Sequence, residues 1–187
     1  MRRAVALAFA GLIATIPLVA EAHGPVRKKV TETVTIAAPP EKVWAVIGDF
    51  QDMSWYPGIA KTEGKGGNTV VSDADDSLNP SRHLTLAGGG TIDEVLYKYS
   101  AEKMSYSYRI TTVDVKVLPV TNYAATLSVL PGEAAGTSTV EWKGAFYRGY
   151  PNNDPPPELD DDAAVAAVTK LYRTGLDALK AKVEKGS

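Results

Sequence analysis

The chain has 187 residues, 44% of them hydrophobic and 22% charged, with a formal net charge of -2. That balance suits one globular domain and excludes disordered and low-complexity architectures. Cysteine is absent, which removes disulfide frameworks, thiolate metal sites, iron–sulfur clusters and thiol nucleophiles together. His23 and His83 are the two histidines, too few for a multi-histidine metal centre or a comfortable Ser-His-Asp triad. The slight negative charge gives no general attraction to phosphate backbones, so nucleic acid is not an expected partner.

Met1-Arg2-Arg3 is a basic start, Ala4 to Ala20 is an uncharged apolar run, and Ala20-Glu21-Ala22 supplies a small-x-small exit. Together these read as a secretory signal peptide, residues 1–22, with cleavage leaving His23 as the new N-terminus. No later stretch is long and apolar enough to span a membrane. The expectation is a single exported domain over residues 23–187, periplasmic in a Gram-negative source and free of the membrane after cleavage.

His23 to Lys29 is a polar lead-in, and Val30 to Ile36 alternates as a strand. Pro39-Pro40-Glu41 opens a short helix with Val43, Trp44 and Ile47 as its apolar stripe. A second small helix or turn is expected over Gln51 to Tyr56. From Ile59 to Arg148 the chain reads as successive strands, with Gly64–Gly67 and Gly88–Gly90 suited to tight hairpins and Pro131-Gly132 ending another strand. Four inward sets stand out. They are Ile92/Glu94/Leu96, Met104/Tyr106/Tyr108/Ile110, Tyr123/Ala125/Leu127/Val129 and Val140/Trp142/Gly144/Phe146. After the irregular Asn152–Pro157 loop, a long helix is expected from Asp160 to about Val183. Its apolar face carries Val165, Val168, Tyr172, Leu176, Leu179 and Val183. Acidic residues at its start and Lys180, Lys182 and Lys185 at its end suit the helix dipole.

This order resembles the helix-grip fold of the START-like (SRPBCC) superfamily, an α+β architecture in which a curved antiparallel sheet wraps a long C-terminal helix. Pro39-Pro40-Glu41-Lys42-Val43-Trp44 resembles the superfamily's opening helix. Arg82-x-Leu84-x-Leu86, Gly88–Gly90 and Ile92-x-Glu94-x-Leu96 resemble its central hairpin, and Leu118-Pro119 with Asn122-Tyr123 the start of the next strand. A closer resemblance is to the MxaD-type periplasmic proteins found with bacterial methanol-oxidation systems. It is carried by His23-Gly24-Pro25, Leu118–Tyr123, Phe146-Tyr147-Arg148, Asn152-Asn153, Pro155–Pro157, Asp161-Asp162-Ala163 and Ala166–Thr169. The acidic insert Asp73–Asp76 departs from that pattern. The resemblance implies an accessory role beside a methanol dehydrogenase and its cytochrome c, without a cofactor of its own.

A helix gripped by a bent sheet leaves a cavity, and cavities of this kind are default ligand sites. The inward Arg82, Glu94, Tyr106, Tyr108, Tyr123, Trp142 and Phe146 are its expected lining, suited to a small hydrophobic ligand. Glu94 and Arg82 have two readings, a structural ion pair closing the cavity mouth or a ligand contact; a buried Glu94 should be hydrogen-bonded, paired with Arg82 or protonated. Glu94 with Tyr106 or Tyr108 also offers an acid/base set for a cyclase- or dehydrase-type enzyme, although no nucleophile–base–orienter set accompanies it, and the expectation is a protein without catalysis. Tyr147, Arg148, Tyr150, Asn152 and Asn153 are the expected protein-docking residues, since loops after rigid strands favour recognition. The alternative is that these tyrosines cover the helix–sheet junction. His23, its terminal amine and His83 are the candidate copper ligands. Phosphate-loop, calcium-loop and G-x-S-x-G patterns are not found.

Overall fold

In the computed structural model, residues 24–186 are described; the proposed signal segment and His23 lie outside them. The elements are β1 (Lys28–Ile36), α1 (Pro40–Ile47), β2 (Ile59–Lys65), β3 (Ser81–Leu86), β4 (Thr91–Ser100), β5 (Ser105–Val113), β6 (Val120–Pro131), β7 (Ser138–Arg148) and α2 (Asp161–Lys185). The seven strands form one antiparallel sheet in the order β1-β7-β6-β5-β4-β3-β2. Its concave face holds α2, so the helix-grip architecture read from the sequence is the one observed.

Local chemistry accounts for the elements. Pro40 occupies the first turn of α1, where its missing N–H costs no bond, and Gly48 ends the helix on the Trp44 carbonyl. The segment after it is a run of turns and not a helix. Asp49 and Asp52 accept the Gln51 and Ser54 backbone N–H groups at 2.9 and 2.7 Å, the local bonds by which aspartate favours turns over helix. Asp160 caps α2 by accepting the Ala163 N–H at 2.7 Å.

The inward strand sets are borne out. Ile92, Glu94, Leu96, Tyr106, Tyr108, Tyr123, Ala125, Leu127, Val129, Val140, Trp142 and Phe146 are buried against Val168, Tyr172, Leu176 and Leu179 of α2. Register breaks at Asp93/Glu94 and Leu96/Lys98 in β4, and at Thr121/Ala124 in β6, mark bulges of the sort that bend a sheet.

One turn expectation is corrected. Gly64–Gly67 does not close a tight hairpin: β2 and β3 pair, but residues 66–80 form a long connection between them. Asn79 is buried and holds that connection, accepting from Val71 and Ser72 N–H and donating to the Ser72 carbonyl. The acidic insert lies within it, with Asp76 3.2 Å from the Arg109 guanidinium. By contrast Gly88–Gly90 does form the β3–β4 turn, and a side chain at Gly90 (φ +90) would collide with Val117.

The free edge of β1 is covered by α2. Arg173 and Lys180 donate to the Thr33 and Thr35 carbonyls at 2.8 and 2.7 Å, and Glu184 accepts the Ala37 N–H at 2.9 Å. Long cationic side chains thus satisfy an edge that could otherwise template pairing with another strand.

Candidate functional site

Toward the β2–β4 end, the sheet curves away from α2 and encloses a cavity of about 490 Å³. Its walls come from the Met53–Ile59 turns, strands β3 to β7, the Gly88-Gly89 turn, the Lys116–Leu118 connection and Leu171 of α2. Exposure gives it a direction. Pro57, Gly58, Gly88, Gly89 and Lys116 are exposed and form the mouth, whereas Met53, Arg82, Glu94, Tyr108, Tyr123 and Trp142 are buried at its depth. Leu84, Leu86, Ile92, Ile110 and Leu118 supply the apolar span between.

Arg82 and Glu94 face each other across the β3–β4 register, with Nε 2.6 Å from Oε2 and side chains only 1% and 6% exposed. The guanidinium also donates to the Phe50 carbonyl at 2.8 Å and lies 4.2 Å from the Phe50 ring centroid. It is therefore held by a carboxylate, a carbonyl and an aromatic face together. Burial pushes the Glu94 carboxyl above the usual carboxylate range, with the Arg82 charge pulling in the opposite direction.

Beside this pair lies a cluster of aromatic polar groups. Trp142 Nε1 donates to the Tyr108 hydroxyl at 3.1 Å, the Tyr108 and Tyr123 hydroxyls are 3.4 Å apart, and those of Tyr123 and Tyr172 are 2.7 Å apart. Trp142 stacks on Tyr172 at 4.7 Å, and α2 admits it because a side chain at Gly175 would come within 2.7 Å of Trp142 and 2.8 Å of Tyr56. Burial raises Tyr108 and Tyr123 well above the ordinary phenol value, and it pushes Tyr56 and Tyr106 up to about 12. Near neutral pH these phenols are hydrogen-bonding groups and not bases.

Five of the seven expected cavity residues line it: Arg82, Glu94, Tyr108, Tyr123 and Trp142. Tyr106 and Phe146 do not. Tyr106 packs on Phe50 and Trp44 at 5.8 and 6.1 Å, and Phe146 stacks against Tyr123 at 6.1 Å, so both are core. Strand alternation identifies a face, and the cavity takes only one end of that face. Lys116, Gly88 and Gly89 at the mouth, and Met53 and Tyr56 on its wall, were missed because they belong to connections with no periodicity. The one available signal was the glycine run, which reads as a turn without saying what lies beneath it.

The docking residues separate. Arg148 is buried, contrary to its expected exposure: Nε donates to the Tyr150 carbonyl at 2.9 Å, Nη2 to the Asn152 carbonyl at 2.8 Å, and Nη1 lies 3.8 Å from Asp161. It folds its own loop back onto the start of α2. Tyr147 is half-buried below Arg27, whose guanidinium carbon is 5.7 Å from the ring; Tyr150 is half-buried, and Asn152 and Asn153 are exposed. Arg148→Ala should lower stability by about 2–3 kcal/mol, since it strands two carbonyls and weakens the hold on a carboxylate. Thermal melting checks this, and an unchanged transition would return Arg148 to the surface.

His83 sits on the opposite side of β3 from Arg82 and Leu84, with Nδ1 2.6 Å from Asp93 Oδ1. His23 lies outside the described residues, and among those described no three His, Asp or Glu side chains gather as a metal site.

Fold and cavity together define a helix-grip protein with an internal ligand-sized chamber. The family model for polyketide cyclase/dehydrase and lipid transport proteins matches residues 27–184, and the chain belongs to that family. Among solved structures, protein XoxI from Bacillus cereus is 30% identical, with a TM-score of 0.65 over 83% of this chain and 94% of that one. An uncharacterised protein from Bacillus thuringiensis is 29% identical, with a TM-score of 0.65 over 83% and 98%. Norcoclaurine synthase from Thalictrum flavum, solved with dopamine and hydroxybenzaldehyde, shares the fold at 17% identity, with a TM-score of 0.63 over 96% and 99%. No curated protein matches the chain.

Proposed function

We propose that the protein binds a small, largely apolar molecule in the cavity and acts by binding it, not by turning it over. The observation that carries this is a chamber of about 490 Å³ whose buried polar groups already satisfy one another. Glu94 is engaged by Arg82, and the tyrosines are held neutral by burial, so the polar groups at the depth are committed to one another. Native mass spectrometry of protein purified from its own cell envelope should show a retained compound. Leu86→Trp, which narrows the space just inside the mouth, should lose it while still melting cooperatively. A ligand-free native protein, or retention in a well-folded Leu86→Trp variant, would overturn the reading.

A second reading places this binding in an exported accessory role beside a methanol dehydrogenase and its cytochrome c, in the periplasm after signal cleavage. What favours it is where the resembling segments sit. Leu118 and Tyr123 line the cavity, and Gly149 packs so closely on Val115 and Pro119 that a side chain there would lie 3.1–3.2 Å from them. Gly149, the neighbour of Tyr150, thus packs on the connection that also carries Lys116 and Leu118 of the cavity lining. Substituting Tyr150, Asn152 and Asn153 together should abolish any stimulation in a reconstituted dehydrogenase–cytochrome assay with melting retained; full stimulation would exclude this surface.

A further inference from the structure

We infer that the ligand is a small amphipathic acid, its apolar body inside and its carboxylate at the mouth against Lys116. This rests on the binding reading above and concerns the charge of the occupant. Three charged side chains line the cavity: Arg82, Glu94 and Lys116. Arg82 and Glu94 neutralise each other at 2.6 Å in the depth, which leaves the lining with one uncompensated positive charge, at the rim. The Lys116 ammonium has no ion-pair partner among the described residues. The other exposed members of the rim are Pro57, Gly58, Gly88 and Gly89, none of which carries a charged side chain.

The backbone under Lys116 is fixed. Asp114 accepts the Lys116 N–H through Oδ1 at 2.8 Å, and its carbonyl accepts the Val117 and Leu118 N–H groups at 2.8 and 3.1 Å. The Asp114 carboxylate is the acidic group closest along the chain; it caps this turn and does not line the cavity. Immediately inward come Leu86, Ile110 and Leu118, which suit a hydrocarbon body. The long Lys116 stem can lie along that apolar rim with its head in water, the usual behaviour of lysine at such a boundary. A carboxylate placed there gains an ion pair with the Lys116 ammonium, while a neutral hydroxyl gains only the weaker bond of an uncharged acceptor.

The test compares octanoate with octanol, read by calorimetry and by quenching of tryptophan fluorescence through Trp142. Octanoate should bind about tenfold more tightly than octanol, the effect of one charge-assisted bond. In Lys116→Met the preference for octanoate over octanol should be lost while thermal melting stays as it is. Equal binding of acid and alcohol by the unmodified protein, or a preference for acid that survives Lys116→Met, would overturn the inference and leave the cavity's binding role standing. Binding of neither compound by protein that melts normally would overturn the inference and count against the binding reading as well.

Discussion

Arg82→Met should destabilise the protein by about 3–5 kcal/mol, because it leaves the Glu94 carboxylate buried without its counter-charge. It also strands the Phe50 carbonyl, which now accepts from Arg82 at 2.8 Å. The pH dependence has a definite sign. A carboxyl whose folded pKa is raised binds more protons folded than unfolded, so stability falls as pH rises above its unfolded value near 4.5. With Arg82 gone the rise grows, and the loss should be greatest near neutrality and shrink as pH approaches about 4. The double variant Arg82→Met/Glu94→Leu should recover the part due to the unpaired charge, leaving a deficit of about 1–3 kcal/mol from the stranded Phe50 carbonyl. Chemical denaturation of the three proteins across pH measures this. A double variant no better than Arg82→Met alone would mean that the pair matters for shape and not for charge.

The second large effect is an alkaline transition. Tyr106, Tyr108, Tyr123 and Tyr172 are buried, and burial raises all four above the ordinary phenol value of 10.0. For a group raised in the fold, stability is fully present below the unfolded pKa and is lost above it, as the unfolded chain ionises and the folded one cannot. Each such tyrosine adds a slope of about 1.4 kcal/mol per pH unit, so the four together give about 5–6 kcal/mol per unit just beyond pH 10. Tyrosinate absorbance should therefore rise in a cooperative step coincident with loss of near-ultraviolet circular dichroism. The half-buried tyrosines account for an earlier, gradual part of the rise; if the whole rise ran ahead of unfolding, the cluster would be open to solvent.

Much of this molecule is legible in its sequence where periodicity operates. The inward sets from β4 to β7 needed only alternation, and two charged residues on inward positions of neighbouring strands suggested the Arg82–Glu94 pair, but at the cavity mouth; the structure buries it at the depth. Position along a face is a different matter. Tyr106 and Tyr108 share one phase, yet one is core and the other lines the cavity, because the boundary is set by where α2 and the Met53–Ile59 turns end. Arg148 misled for a related reason. An arginine beside tyrosine and asparagine looks like a recognition residue, and only the return of its loop onto Asp161 turns it inward. The residue 66–80 connection was hidden because its organiser, Asn79, acts through backbone bonds that leave no pattern in residue types.

The edge of β1 has a consequence for how the chain reaches its native state. β1 is hydrogen-bonded to β7, and its other side is held by Arg173, Lys180 and Glu184 of α2. The first described strand thus has its partners in the last two elements, more than a hundred residues away along the chain. Contacts this distant in sequence are slow to form and cannot form at all while the later residues are missing. A nascent chain would carry β1 unpaired until β7 and α2 have both been made, so its edge is exposed to other strands for longer than that of any later strand.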